Sequence, residues 1–493
     1  MEYQLTNAVW ELTMKCNMRC QHCGSSCEDA MPDELTTEEA LDLCDDLKEL
    51  GLTYITLSGG ELTTRADWDI IASKLVENEI VTSFITNGWL LNDEIIDKAK
   101  KSGINTIAIS IDGLKDTHDK IRMPGSFERN IKNLKKIKEQ KMIPAVITTV
   151  QKQNIEELEE LYQCLKSLGV MTWQVQIALP MGNFKERKSE YLQPEEINKI
   201  INFAYSKIDE DMMIDLADCI GYYSKKDIAL KRKRFGENSF WQGCNAGKHS
   251  IGILCNGDIV GCTSIRGKEF IEGNIREKKL KDIWNDEKSF LWNRSLTKES
   301  LEGNCRVCQY GDYCLGGCAK VRYCMNGDVY SENIYCAYSL EINKYKEDIN
   351  ELTVKDKDEL EALMYYMIEK KQYQMASIVV DRLKELGHNS ERLQEVDGFI
   401  RFFQRDYIGS KVINEAILDK NPQNKYAKKG LGLAVYKIGN IEEGINYMYE
   451  ALDKDYPDSY SDLYIVLKEQ QLDDKAEELL RNAKKHKVVM QGI

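Results

Sequence analysis

The stretch CNMRCQHC, residues 16 to 23, sets Cys16, Cys20 and Cys23 in a C-x3-C-x2-C spacing. Three thiolates on one loop can hold three irons of a cubane iron-sulfur cluster. The fourth iron then has no protein ligand and stays open to a substrate or cofactor, as a vacant position does in catalytic metal sites. Two blander uses of the same residues stand beside this one: a structural zinc site completed by Cys27, or thiols buried as small hydrophobes. A second set runs Cys244-x12-Gly257-x4-Cys262, then Cys305-x2-Cys308-x5-Cys314-x3-Cys318, and ends at Cys336. Paired thiolates of this kind suit clusters and zinc alike.

The surrounding pattern shows what would position these groups. Strand-like runs AVWELT, TYITLS, VTSFIT, NTIAIS, IPAVITTV and TWQVQIAL alternate with amphipathic helical segments. Several of those helices stop near Gly, as capping chemistry predicts. Six strand-helix units predict an α/β domain over 1–210, a partial (β/α)6 barrel related to the TIM barrel. Chemistry in such barrels sits on loops at the C-terminal ends of strands, and the three-cysteine loop follows the first strand. Residues 211–243 read as a polar, basic connecting segment. The Cys- and Gly-rich stretch 244–345 has few apolar runs, so metal would have to staple it. From 346 to 493 the chain is helical and repetitive: Gly409, Ala416 and Pro422 recur as Gly444, Ala451 and Pro457. That period resembles tetratricopeptide repeats.

The bulk numbers narrow the class. The chain has 493 residues, 16 of them Cys, with 81 acidic against 67 basic residues and a net charge of −14. Such a balance argues against non-specific nucleic-acid binding. No apolar run is long enough to span a bilayer, and the N-terminus lacks the pattern of a signal peptide. A cytoplasmic protein is expected, and in that reducing compartment clustered cysteines read as metal ligands rather than disulfides.

LSGGEL (57–62), ITNG (85–88) and ISIDG (109–113) follow the second, third and fourth strands. Together with the cysteine loop, and in this order, they resemble the radical S-adenosylmethionine (SAM) superfamily over residues 5–210, with His22 in the aromatic slot of the cluster loop. The resemblance implies that S-adenosylmethionine chelates the open iron through its amino and carboxylate groups. Gly59, Gly60 and Glu61 match the segment that hydrogen-bonds the amino group. Ser110 and Asp112 match positions near the ribose and carboxylate, and Arg122 looks like the arginine that pairs with that carboxylate. Asn87 and Gln176 are candidate polar contacts to cofactor or substrate. Leu62 stands where the family usually has Pro, a departure that removes no ligand.

The second cysteine set resembles the SPASM extension of peptide-modifying members. By resemblance Cys244, Cys262 and Cys318 hold one auxiliary cluster, and Cys305, Cys308, Cys314 and Cys336 hold the other, giving three [4Fe-4S] clusters in all. The fourth ligand of the first is Cys255 or is left open for a substrate thiolate; a buried thiol is an equal reading of Cys255. The implied activity is anaerobic maturation of a ribosomally made peptide: a 5′-deoxyadenosyl radical abstracts hydrogen, and a thioether, a C–C cross-link or an oxidised side chain results. Flavodoxin or ferredoxin would deliver electrons, and the C-terminal repeats would hold the peptide. Formylglycine formation by an anaerobic sulfatase-type maturase ranks second, because those enzymes typically carry a further cysteine where Ser250 stands here. From another class comes a non-catalytic repeat scaffold with a metal-stapled body, which has no need of both the cysteine loop and GGE. Cys27, Cys44, Cys164, Cys219 and Cys324 match no motif and read as core thiols.

Overall fold

A computed structural model describes residues 3–490. The chain forms two compact units. The first runs to Arg306 and resumes over Tyr310–Leu340; the second comprises Val307–Gln309 and the chain from Glu341 onward.

The first unit is built on strands β1 (Asn7–Glu11), β2 (Tyr54–Ser58), β3 (Val81–Thr86), β4 (Thr106–Ser110), β5 (Ile143–Val150) and β6 (Thr172–Ile177). Helices α1 (Thr37–Glu49), α2 (Trp68–Glu77), α3 (Asp93–Lys101), α4 (Lys115–Ile121), α5 (Ser126–Glu139) and α6 (Leu158–Ser167) alternate with them. The helix starts obey local chemistry: Thr36 and Glu39 close a capping box on α1, and Asn92 caps α3 through the amide of Ile95. β4 is buried along nearly its whole length, as expected of a parallel strand covered on both faces. The α/β barrel-like architecture expected from the alternation is present.

The sheet is larger than the six expected strands. Its order is β10-β9-β8-β1-β2-β3-β4-β5-β6-β7, an open series whose two edges do not pair. β7 (Met213–Leu216) lies inside the stretch read as a connector and pairs in parallel with β6, Thr172 opposite Met213. Four residues are too few to show a period, so no strand signal is legible there. The basic run that follows α7 (Ile197–Ser206) and β7 is helix α8 (Lys225–Phe235), capped by Ser224.

The Cys-rich stretch continues the same sheet. β8 (Ser250–Ile253) runs parallel to β1, with Asn7 opposite Ser250, and β9 (Asp258–Val260) and β10 (Ile271–Asn274) add an antiparallel edge. Its apolar residues join the barrel core: Leu280, Trp284, Phe290, Val321 and Tyr335 belong to the same buried cluster as Trp10, Phe84 and Trp173. This region therefore borrows its core from the barrel.

The second unit is all helical, with eight helices between Lys357 and Lys485. Within it, the helices Lys425–Ile438 and Ile441–Glu450 cross at two glycines. A Cβ on Gly432 would meet the Gly444 carbonyl at 2.8 Å, and one on Gly444 would meet the Gly432 carbonyl at 2.7 Å. One of the recurring small residues thus sits at a helix crossing. Gly409 does not: it donates its amide to the capping carboxylate of Asp406.

Candidate active site

The C-terminal ends of all six alternating strands open onto one polar cavity of roughly 300 Å3. The loop after β1 lines it with Cys16, Cys20, His22 and Cys23, β2 with Gly59 and Gly60, β3 with Asn87, β4 with Ser110, β5 with Thr149 and β6 with Gln176. Arg122, just after α4, completes this group.

Donors surround the three thiols. The Met18 amide lies 3.5 Å from the Cys16 sulfur, the Asn87 side-chain amide 3.9 Å from it, and Arg122 Nη1 3.9 Å from the Cys20 sulfur. Burial pushes the Cys20 thiol up to about 11, with Arg122 opposing it. The Cys23 thiol is held down to about 5, chiefly by a hydrogen bond from Cys27, and Cys27 is raised in exchange. Three sulfurs on one wall, each with an N–H, guanidinium or thiol donor beside it, are a donor set that fits an iron-sulfur cluster with one iron facing the cavity.

Asp112 is fully buried and does not line the cavity. Its carboxylate accepts from Arg122 Nε, from His22 Nε2 at 2.9 Å and from the Thr149 amide at 2.7 Å. Burial raises this carboxyl most, but Arg122, His22 and His118 together outweigh it and hold it well below the usual range. Asp112 thereby fixes the cluster loop, the arginine and the end of β5 to one another.

Glu61 is turned away in the same manner. It is 1% exposed, and its carboxylate accepts from the Thr63 amide and hydroxyl, the Thr86 hydroxyl and the Asn87 amide. Burial leaves its pKa raised even with those donors. Gly59 and Gly60 pack on the loop after β1. The Gly60 amide donates to Thr13 O at 2.7 Å and the Glu61 amide to Lys15 O at 2.8 Å, so the two loops form a short ladder under the cysteines. Asn87 holds Asn17 Oδ1 at 2.9 Å, and Gln176 donates to Thr149 Oγ1 at 3.1 Å.

Sequence reasoning passed over several residues here. Buried Asn130 donates to the carbonyls of Asn87 and Ser110 at 3.1 and 3.2 Å and ties the ends of β3 and β4 together. Glu11, Arg266 and Lys320 also line the cavity, with Arg266 bound to Glu11 and to Ser25 Oγ. Lys320 follows Cys318 by two residues, a proximity that could have drawn attention to it.

Cys244 and Cys262 pack against a common apolar cluster that includes Ala319. The Cys318 thiol is pushed well above its ordinary range by burial, then by Cys244, with Cys219 and Cys262 adding and Lys320 opposing. These three cysteines therefore share one environment, and Cys219, read as a core thiol, borders it. The Cys255 sulfur sits 3.6 Å from Met31 Sδ, and its carbonyl receives the Leu35 amide. Cys305 is buried beside Leu296 and Leu301, Trp241 Nε1 donates to the Cys314 carbonyl at 3.1 Å, and the Ser339 amide lies 3.4 Å from the Cys336 sulfur. Cys308 falls in the short Val307–Gln309 segment grouped with the second unit.

Comparison with known proteins now has a site to refer to. The radical SAM superfamily profile matches residues 10–165, and that of SPASM, an iron-sulfur cluster-binding domain, matches residues 244–309. An AdoMet-dependent heme synthase of Methanosarcina barkeri is 32% identical over 349 residues, covering 68% of this chain and 98% of that protein. The mycofactocin maturase MftC of Mycolicibacterium smegmatis is 26% identical over 320 residues, 64% of this chain and 78% of its own. Among solved structures, Streptococcus suis SuiB bound to S-adenosylmethionine superposes with a TM-score of 0.56 at 20% identity, covering 68% of this chain and 78% of that one.

Proposed function

Because the chain belongs to the radical SAM superfamily and carries a SPASM iron-sulfur cluster-binding domain, we propose that it is a maturase that modifies a ribosomally made peptide through a thioether or C–C cross-link or an oxidised side chain. The observation that carries the reading is the convergence of Cys16, Cys20, Cys23, Ser110, Arg122 and Gln176 on one cavity. When bound, the clusters and S-adenosylmethionine supply a 5′-deoxyadenosyl radical and take up the surplus electron. The chain's own groups bind, orient and shield. Cys16, Cys20 and Cys23 hold the first cluster. Arg122, fixed by Asp112, would pair with the cofactor carboxylate, and Ser110, Asn87 and Gln176 would present polar groups to cofactor or substrate. Glu61 holds the GGE backbone in place from behind. Ile177, Ala178, Leu179 and Met181 give the cavity an apolar wall that keeps water from the reacting carbon.

Cys244, Cys262 and Cys318 would hold one auxiliary cluster and Cys305, Cys308, Cys314 and Cys336 the other. The fourth ligand of the first would be Cys255, or the position would stay open for a substrate thiolate. Helices from residue 346 onward, in tetratricopeptide-like pairs, would seat a leader peptide, and flavodoxin or ferredoxin would supply electrons.

A peptide is supported by mycofactocin maturase among the relatives and by SuiB, which has been solved with its precursor peptide SuiA. The second reading is a tetrapyrrole substrate, favoured by the 32% identity to a heme synthase over 98% of its length. The test is anaerobic incubation of reconstituted protein with reductant, S-adenosylmethionine and each substrate class, following 5′-deoxyadenosine and substrate mass. A peptide lighter by two hydrogens supports the first reading; a changed tetrapyrrole selects the second; no deoxyadenosine from cluster-loaded protein overturns both. Truncation after Asn350 should weaken peptide binding while leaving the iron content of the first unit unchanged.

A further inference from the structure

Arg322, in the helix Ala319–Asn326, is a fully buried charge, 0% exposed. Its Nη1 donates to the Val329 carbonyl, while Nε and Nη2 are buried with no hydrogen-bond partner. No carboxylate pairs with it among the described residues. Asp328 and Glu332, near Val329 in the chain, are engaged elsewhere. Asp328 accepts the Tyr330 amide at 2.9 Å, and Glu332 accepts the Asn304 amide at 3.0 Å and the Ser339 hydroxyl at 3.1 Å. A guanidinium does not shed its proton on burial, so its counter-charge has to come from another group.

Cysteines lie beside it. A Cβ on Gly316, between Cys314 and Cys318, would meet both Arg322 Cζ and Leu301 Cδ2 at 3.1 Å, and Leu301 packs with Cys305. Burial pushes the Cys305 thiol up, and Arg322 opposes it. At Cys318 the opposing cation is Lys320 instead. Residues two apart on an α-helix point about 200° apart. One helix thus turns one cation toward each cysteine group.

We propose that Arg322 is the electrostatic partner of the auxiliary cluster that Cys305 and Cys314 would help to hold, its unpaired N–H groups donating to cluster sulfur and raising the reduction potential. This rests on the radical-enzyme reading and its cluster assignment. A thiolate-bound cubane is an anion, and an added electron deepens its charge, so a fixed cation with N–H donors favours the reduced form. Reduction adds one electron and makes or breaks no bond, and Arg322 keeps its charge throughout. Being fully buried, Arg322 acts through the cluster and not on substrate. The rival role is a structural peg for the Val329 carbonyl. It predicts lost stability or iron in Arg322→Met, with the potential of whatever loads unchanged.

The experiment uses full-length protein carrying Cys16→Ala, Cys20→Ala and Cys23→Ala, so that only auxiliary clusters are read. This parent is compared with the same protein bearing Arg322→Lys or Arg322→Met. Iron per chain is counted, and potentials are measured by anaerobic protein-film voltammetry, with the electrode as electron donor. Arg322→Met should lower one potential by at least a tenfold change in equilibrium constant, about 59 mV for one electron. The other potential should move by less than a third of that shift, and Arg322→Lys should recover at least half of it. An unchanged potential in loaded Arg322→Met, or equal shifts in both, overturns the proposal. If Arg322→Met does not load, the parent decides, grown with arginine labelled with nitrogen-15 in the guanidinium and reduced with titanium(III) citrate. Pulsed electron paramagnetic resonance should show guanidinium nitrogen coupled to a reduced cluster, a coupling that Arg322→Lys abolishes; its absence from the parent overturns the proposal. Parent protein without auxiliary iron would instead overturn the radical-enzyme reading and this proposal with it, whereas a loaded parent that fails either test leaves that reading standing.

Discussion

The ladder between the loop after β1 and the GGE turn offers a sharp test of how the site is held. Gly60 has no left-handed backbone, so a substitution there acts through space alone. A Cβ would lie 2.4 Å from the Lys15 carbonyl oxygen and 2.8 Å from both Lys15 C and Met14 O, all of them backbone atoms that cannot rotate away. Overpacking of this kind costs about 1–3 kcal/mol. Parting the loops would also weaken two hydrogen bonds, at roughly 1 kcal/mol each. The expected loss for Gly60→Ala is therefore about 3–5 kcal/mol. The first unit has about 340 residues. At about 2.1 cal/mol/K per residue its unfolding entropy is about 0.7 kcal/mol/K, which converts the loss to a Tm lower by about 4–7 °C. Gly24→Ala is the control, because its Cβ meets nothing closer than Met181 Cβ at 3.5 Å. Thermal unfolding of both variants, with iron per chain and S-adenosylmethionine affinity on the same samples, gives the answer. Gly60→Ala with the Tm, iron content and cofactor affinity of wild type would refute the claim that this ladder sets the position of the cysteine loop.

Asp112→Asn keeps the shape of the buried node but leaves Arg122 without its counter-charge, for an expected loss of about 3–5 kcal/mol in urea unfolding together with reduced iron loading; unchanged values would show that His22 and Arg122 are held by other contacts. Trp173→Phe removes an indole that donates to Thr148 Oγ1 at 2.7 Å in a fully buried position; the hydroxyl keeps its own bond to the Ile111 carbonyl, so the lost indole bond and lost volume should cost about 2 kcal/mol, and a shift in urea midpoint worth under half of that would contradict the packing argument. Glu39, held down to about 2 mainly by its hydrogen bonds with Arg276 and Thr36, stabilises the fold above its unfolded pKa of 4.5 and loses that contribution as pH falls toward 2. Because both partners are about a third exposed, screening reduces the effect to about 1 kcal/mol. The difference in urea stability between wild type and Glu39→Gln should shrink from pH 6 to pH 2.5, and a pH-independent difference would exclude the linkage.

The amino-acid sequence by itself determined the alternation of six strands and helices, because parallel strands need long apolar runs and amphipathic helices need a 3.6-residue period, both local signals. It also fixed which cysteines could act together, since ligand spacing on one loop is a property of the chain. The tertiary structure alone decided that β7 and β8 extend the sheet at opposite ends, because four-residue strands are selected by the edge they join rather than by their own pattern. It decided that Glu61 and Asp112 face inward and hold the loops, whereas Arg122 and Gln176 face the cavity; a carboxylate's direction depends on which donors the neighbouring strands bring to it. It set Cys255 against Met31, a residue far away in the chain. It also brought Lys320 and Arg266 to the cavity, because only the fold of residues far apart in the chain determines which charges find one another.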